Sequence, residues 1–368
     1  MAKHYFLGLA AGRKGACKQF FTHGSNKDLA NLSNFLNQKY DGEEAILTKN
    51  GRSALALALK AYFKPGDAVI VNGFTCYAVY EATKAAGVTP AFADIEEATL
   101  NFDFNYLEKL CQNQPKIKGI IVQNTLGNPI DFKKLETFAA KYNLTIIEDL
   151  AHSTGAKYPD GREVGTVGAA TILSFGKDKS IDTISGGALI LRKPHDTKIS
   201  APVKSPKVSD TLRSRLYPTF GAMCRGLSYV HLGGALMRLL VKIHWVEKSA
   251  DNRLDLNCKI NKFEAKLALE QLKNINKQPK PIREFYFVNN REEVLKKLRK
   301  AGYYFDGFWY EKPVSPVRYY KKVHFPEKDC PTSVQVAAKI INLPTYYSKK
   351  DLEKARKIIK EHLWTGTK

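Results

Sequence analysis

An α/β fold with a mostly parallel central sheet is predicted for this chain, on three observations. Short apolar, often β-branched runs alternate with stretches of helical spacing from about residue 45 to residue 192, and that alternation builds βαβ units. Two of the runs deliver polar groups to what would be one sheet edge: Thr145-Ile146-Ile147 ends on Glu148 and Asp149, and residues 170–175 are followed by Lys177 and Lys179. With 368 residues, 44% of them hydrophobic, the chain can bury a large core and carry one big domain plus a smaller one.

The elements come in order along the chain. Residues 28–39 have helical apolar spacing through Leu29, Leu32 and Phe35-Leu36. Residues 45–48 read as a short strand, and the alanines and leucines after Asn50 predict a helix starting at about Gly51. Strand 68–72, helix 79–86 closed by Gly87, strand 89–93, helix 104–111 and strand 117–123 continue the alternation. Asp131 is an N-cap for helix 132–142. The central strand and strand 170–175 come next, then the turn Ser185-Gly186-Gly187 into strand 188–191. Residues 234–246 predict a basic amphipathic helix, in a stretch where Arg213, Arg215, Arg225, Arg238 and Lys242 sit among apolar side chains; such a helix can lie on an anionic bilayer and can equally cap an active site or form a dimer contact. Near the end, Glu353/Arg356 and Lys357/Glu361 suggest a solvent-facing helix over 349–361. The expected organisation is a large domain at 1–195, a basic amphipathic insert at 196–256 and a small α+β domain at 257–368.

Composition narrows the function. The formal charge of +22 reads first as solvated surface lysines; beyond that it supports attraction to something anionic, such as a nucleotide diphosphate sugar or a membrane surface. Nucleic acid ranks last, because there is no RNP-type aromatic motif, zinc knuckle or helix-turn-helix. Six cysteines without a CxxC pair read as reduced thiols in a cytoplasmic protein, with no metal site implied. The early apolar piece at 5–11 is too short for a signal-peptide core, and no run reaches transmembrane length. The absence of GxGxxG argues against a nicotinamide enzyme.

Open α/β sheets bind ligands at the carboxyl ends of their strands. Asp149 ends a central strand there, and a lysine one short loop further on, Lys177 or Lys179, can reach the same crevice. Pyridoxal phosphate needs that pair: a lysine for the Schiff base, and an acid on the pyridinium nitrogen to make the ring an electron sink. The helix start at Gly51, Arg52 and Ser53 offers N–H groups, a positive dipole and a guanidinium to a phosphate; a plain capped helix with a surface arginine accounts for it equally.

The motifs resemble the DegT/DnrJ/StrS-type aminotransferases that act on nucleotide-linked keto sugars. The family pattern E-D-x-A-[QH], G-x-x-G, S-F-x-x-x-K is met by Glu148-Asp149-Leu150-Ala151-His152, by Gly165-Thr166-Val167-Gly168, and by Ser174-Phe175-Gly176-Lys177-Asp178-Lys179. The resemblance implies a PLP-dependent transferase of fold type I, with a smaller C-terminal α+β domain. It places the Schiff base on Lys179, the ring nitrogen on Asp149, the ring hydroxyl near His152 and the phosphate on Ser174 and the Gly51–Ser53 turn. Family members stack an aromatic residue on the cofactor from the turn after strand 68–72. Cys76 holds that place here, so the stacking residue expected is Tyr77, ahead of Phe74. An asparagine that reaches the partner subunit's cofactor phosphate corresponds to Asn257. Further departures are Arg52 for threonine, Ala169 for aspartate, Ser185 for an acid and Cys258-Lys259 for tyrosine-arginine.

The resemblance further implies a transaminase with an amino-acid donor, most often glutamate, and a keto-sugar acceptor, working as a homodimer with shared active sites. Relatives that dehydrate sugars carry histidine at the lysine position, so Lys179 argues for transamination. Two alternatives stand beside this: another PLP-dependent reaction on the same fold, and a non-catalytic relative docked at the inner membrane face through 212–246.

Overall fold

The computed structural model describes residues 4–6, 21–192, 199–228, 230, 232–246, 253–275, 281–305, 309–345 and 349–364. Cys17 and most of the apolar piece at 5–11 lie outside them. The strands, in chain order, are β1 (His4–Phe6), β2 (Glu44–Thr48), β3 (Ala68–Asn72), β4 (Thr75–Cys76), β5 (Thr89–Ala93), β6 (Ile117–Val122), β7 (Thr145–Asp149), β8 (Ala170–Ser174), β9 (Gly187–Leu191), β10 (Arg283–Phe287), β11 (Tyr303–Phe305), β12 (Val314–Ser315) and β13 (Ile340–Pro344).

Seven of these form the central sheet, in the order β2-β9-β8-β7-β6-β3-β5. Only β9 runs against its neighbours β2 and β8; the remaining pairs are parallel. Buried parallel strands read as near-continuous apolar runs because both faces are covered. β3 shows it: all five residues are buried, with Ile70 in one core and Val69 and Val71 in the other. The first core packs helix Asn26–Tyr40, and the second packs helix Gly51–Tyr62 with helix Tyr77–Ala86.

Helix starts are fixed by side-chain caps that satisfy the first-turn N–H groups. Asn50 Oδ1 accepts from Ser53 N–H at 2.8 Å, Asp131 Oδ1 from Lys134 N–H at 3.0 Å, and Ser25 and Asp28 cap each other reciprocally.

After β9 the chain forms a helical hairpin, Val208–Ser228 and Gly233–Lys242. The second helix covers the stretch predicted over 234–246 but stops at Lys242; His244 adopts a left-handed backbone, φ 58°. Helix Lys262–Leu272 then returns to the first core. The closing part pairs β10 with β13 over a core of its own, including Val288, Leu298, Leu343 and Ile359. Helix Lys349–Lys360 is not merely solvent-facing: Leu352, Ala355 and Ile359 are buried, and Arg356 Nε bonds Glu284 Oε1 of β10 at 2.7 Å. Spacing within a helix suggested a partner on the same helix, whereas packing against the sheet supplied one from another element.

Candidate active site

β7 and β8 run parallel side by side, so Asp149 and Ser174 end at one edge of the sheet. The two acids at the end of β7 point to opposite faces, as consecutive strand residues must. Glu148 is wholly buried. It accepts from Tyr158 Oη at 2.6 Å, Gly165 N at 2.8 Å, Val167 N at 2.9 Å and Gly168 N at 2.6 Å, and it pairs with Arg192 at 3.1 Å. Its work is to hold the 162–168 loop. Asp149 accepts from Ala151 N–H at 2.9 Å. Burial pushes its carboxyl up to about 6, opposed by that hydrogen bond and by the charge of Lys179.

Lys179 is half-buried, within reach of Asp149's field. Burial pushes its ammonium below the ordinary lysine range, and Cys76, Asp149 and Asp178 push it back. A lysine leaning toward its neutral form is a nucleophile and a proton acceptor. Lys177 turns elsewhere, with its Nζ 4.1 Å from the ring centroid of Tyr217 in the hairpin.

The start of helix Gly51–Tyr62 meets the end of β8. A Cβ on Gly51 would fall 2.6 Å from Ser174 Cβ and 3.0 Å from its Oγ, so only glycine allows this approach. Gly187 is required for the same reason: a Cβ there would lie 2.5 Å from the Asn50 carbonyl carbon. A helix N-terminus and a serine hydroxyl are thereby held side by side, the chemistry of a phosphate site. Arg52 and Ser53 point away from that seam. The Arg52 guanidinium pairs with Glu81 at 2.6 Å, and Ser53 Oγ accepts from Asp255 N–H at 3.0 Å.

His152 completes the cluster. Burial drives its imidazole well below the ordinary range, with the charges of Lys179 and Arg283 acting the same way. The ring is therefore neutral. Its Nδ1 accepts from Leu126 N–H at 3.3 Å, which leaves the proton on Nε2 as a donor.

Three residues that sequence reasoning did not single out join from the far end of the chain. Trp309 stacks on His152 with centroids 5.0 Å apart, and its ring lies 4.6 Å from Lys179 Nζ and 4.0 Å from Arg283 Cζ. Arg283, buried at the start of β10, donates to Asn342 Oδ1 at 2.9 Å. Tyr310 is buried against Phe74 at 4.5 Å, and burial raises its phenol far above the ordinary range, so it stays protonated. The signals available were an arginine two residues before the apolar run 285–288 and the Phe308-Trp309-Tyr310 cluster.

Tyr77 stands apart from this cluster, stacked on Tyr319 at 4.3 Å and 17°. Phe74 is core. The residue of that turn whose field reaches Lys179 and Tyr310 is Cys76. Asn257 is exposed at the surface, where its side chain accepts from Val203 N–H at 3.3 Å.

The donor set fits pyridoxal phosphate: a half-buried lysine and a buried carboxylate in one cluster, a neutral histidine with one N–H to give, and a serine against a helix start. Among the described residues no group of His, Cys, Asp and Glu could hold a metal ion, and no helix is long and apolar enough to cross a membrane.

Comparison with known proteins agrees with this geometry. A model of the DegT/DnrJ/EryC1/StrS aminotransferase family matches residues 14–361. The GDP-perosamine synthase of Escherichia coli O157:H7 is 37% identical over 147 residues, which span 40% of this chain and 40% of that protein. The chain thus matches less than half the length of that relative. The UDP-4-amino-4,6-dideoxy-N-acetyl-beta-L-altrosamine transaminase of Campylobacter jejuni is 27% identical over 289 residues, 76% of this chain and 75% of that one. Among solved structures, DesV of S. venezuelae shares the fold with a TM-score of 0.67 at 20% identity, covering 92% of this chain and 90% of that one.

Proposed function

Because the chain belongs to the DegT/DnrJ/EryC1/StrS aminotransferase family, we propose that it is a pyridoxal phosphate-dependent aminotransferase. The amino group passes from an amino acid, glutamate, to a nucleotide-linked keto sugar in amino-sugar or surface-polysaccharide biosynthesis. One observation carries the reading: half-buried Lys179 and buried Asp149 lie within each other's field at the strand ends, beside the seam of Gly51 and Ser174. The sugar-nucleotide names of the relatives support the acceptor class.

Pyridoxal phosphate, when bound, supplies an electron sink for breaking a C–H bond next to nitrogen. Lys179 would hold it covalently, and as a free amine would move the proton to and from the donor's α-carbon, a task suited to an amine lowered by desolvation. Asp149 holds a proton at the ring nitrogen. His152 Nε2–H donates to the ring oxygen, and Ser174 Oγ with the first N–H groups of the Gly51 helix binds the phosphate. Arg52, Tyr77 and Asn257 complete the set only with movement from their present partners or with a second subunit. The reading extends to a cytoplasmic homodimer with shared sites, and to peripheral contact with the inner membrane face through 212–246.

The test is the absorbance spectrum of the purified protein with added cofactor, before and after glutamate, followed by borohydride trapping and peptide mapping. A visible band that bleaches with glutamate, with the adduct on Lys179, is the expected result. A band indifferent to glutamate moves the reading to another donor or reaction, and no band in a folded protein overturns it.

A further inference from the structure

Most of the large apolar side chains left exposed among the described residues fall on the helical hairpin and its flanks. Met223, Val230, Leu232, Leu239, Ile243 and Trp245 are each more than 40% exposed. Exposed apolar groups gathered in one place mark an interaction surface. The hairpin's other face is already used: Tyr217, Cys224, Met237 and Leu240 pack on Ile184, in the loop that follows Lys179. The outward face is thus a surplus, beyond what the fold consumes.

Its charge selects the occupant. From Thr211 to Val246 the chain has no Asp or Glu, while it carries Arg213, Arg215, Arg225, Arg238 and Lys242. Arg213 and Arg215 have partners within the protein, Asp210 at 3.8 Å and the Phe263 ring at 4.9 Å. Arg238 and Lys242 are exposed one turn apart, interleaved with exposed Leu239, Ile243 and Trp245. A second copy of this chain is a poor occupant. Isologous pairing would bring two copies of this basic stretch together with no Asp or Glu from 211–246 on either copy to pair with its cations, and like charges across an interface cost several kcal/mol. A surface of anionic headgroups over hydrocarbon meets both requirements, because basic side chains stay at headgroup level while leucine and tryptophan enter the boundary.

We propose that the outward face of the 208–246 hairpin docks on an anionic lipid bilayer, with Arg238 and Lys242 on the headgroups and Leu239, Ile243 and Trp245 inserted. This deepens the membrane part of the functional reading and is independent of its chemistry. Docking in this pose sets the loop following Lys179, which the hairpin's inner face covers, within one helical layer of the membrane.

The experiment uses the full chain with cofactor bound, sedimented with phosphatidylcholine vesicles and with vesicles containing about one-third phosphatidylglycerol. Glutamate-driven bleaching is read on the same preparation, so loss of docking and loss of the chemistry are separable. The expected result is binding to the anionic vesicles alone, weakened by salt. R238E/K242E should lower partitioning at least about tenfold, two basic contacts being lost and reversed, while bleaching persists. Trp245 fluorescence should be quenched by brominated lipid, with W245F as the control for Trp309 and Trp364. Equal binding to neutral vesicles, no binding, or unchanged binding of R238E/K242E overturns the proposal. So does a change in oligomeric state in R238E/K242E without any vesicle binding by the parent, which assigns the face to a second copy.

Discussion

Glu148 and Asp149 are neighbours in sequence, both buried, both carboxylates at the end of one strand, and they live in opposite worlds. Glu148 faces a pocket that saturates it: three backbone N–H groups, one phenol and the Arg192 guanidinium converge on two oxygens. Asp149 is met by one backbone N–H, and the charge that helps it belongs to a lysine itself pushed toward neutrality. A buried carboxylate given every partner is structural. One denied them sits at a raised pKa and keeps its capacity for a ligand's cation. The sheet edge thus sorts two carboxylates by what surrounds them.

The largest expected effect tests the saturated side. Glu148→Ala removes one partner of a buried ion pair and leaves Arg192, itself largely buried, uncompensated; breaking such a pair costs about 3–5 kcal/mol. Urea unfolding measures it, and a loss below about 1 kcal/mol would dissolve the contrast between the two acids. Lys179→Arg tests the other side. Arginine keeps the cation but cannot supply a neutral amine, so glutamate-driven bleaching and the trapped adduct should both be lost, by at least about a hundredfold in rate, while the unfolding midpoint stays close to the parent's.

Asp149→Asn sharpens the comparison through pH. The folded carboxyl titrates at about 6, above its ordinary value of about 4, so the folded state holds an extra proton between the two. Stability from this group is therefore full below about pH 4 and declines as pH rises to about 6, by about 3 kcal/mol in total. Unfolding of the cofactor-free protein at pH 4.5 and at pH 7 should show about 2 kcal/mol of that decline, the remainder falling below pH 4.5, and Asp149→Asn should remove this contribution. With cofactor bound the decline should shrink, since a pyridinium partner favours the charged carboxylate.

Much of this was legible before any coordinates. Strands β3 and β5 match residue for residue the predicted 68–72 and 89–93, because apolar runs bounded by turn residues leave little choice of register. Asp149 and Lys179 were legible because their chemistry dictates a fixed order of residues over a short stretch. Arg283, Trp309 and Tyr310 were not, since more than a hundred residues separate them from Lys179 and only the packing of the closing part against the sheet brings them near. Arg52 illustrates a subtler loss. Its place at a helix start was readable, but its pairing with Glu81 of the next helix depends on how two helices lie together. Tyr77 likewise found Tyr319 across a contact that no local spacing encodes.

The smallest effect completes the comparison by repeating the Glu148–Arg192 chemistry near the surface. Arg356 bonds Glu284 at 2.7 Å, shorter than the 3.1 Å of Arg192 to Glu148. Distance alone would rank it the stronger. Yet both its side chains keep a fifth to a quarter of their surface in water, 21% and 27%, against 9% and 0% for the buried pair. Water already solvates each of these charges when the other is removed, so little is stranded. Arg356→Ala should therefore cost only about 0.2–1 kcal/mol, with part of that recovered at high salt. Measured beside Glu148→Ala in the same urea series, a cost as large as the buried pair's would mean that contact geometry, rather than burial, governs these ion pairs, and the reading of Glu148 as a structural anchor would lose its basis.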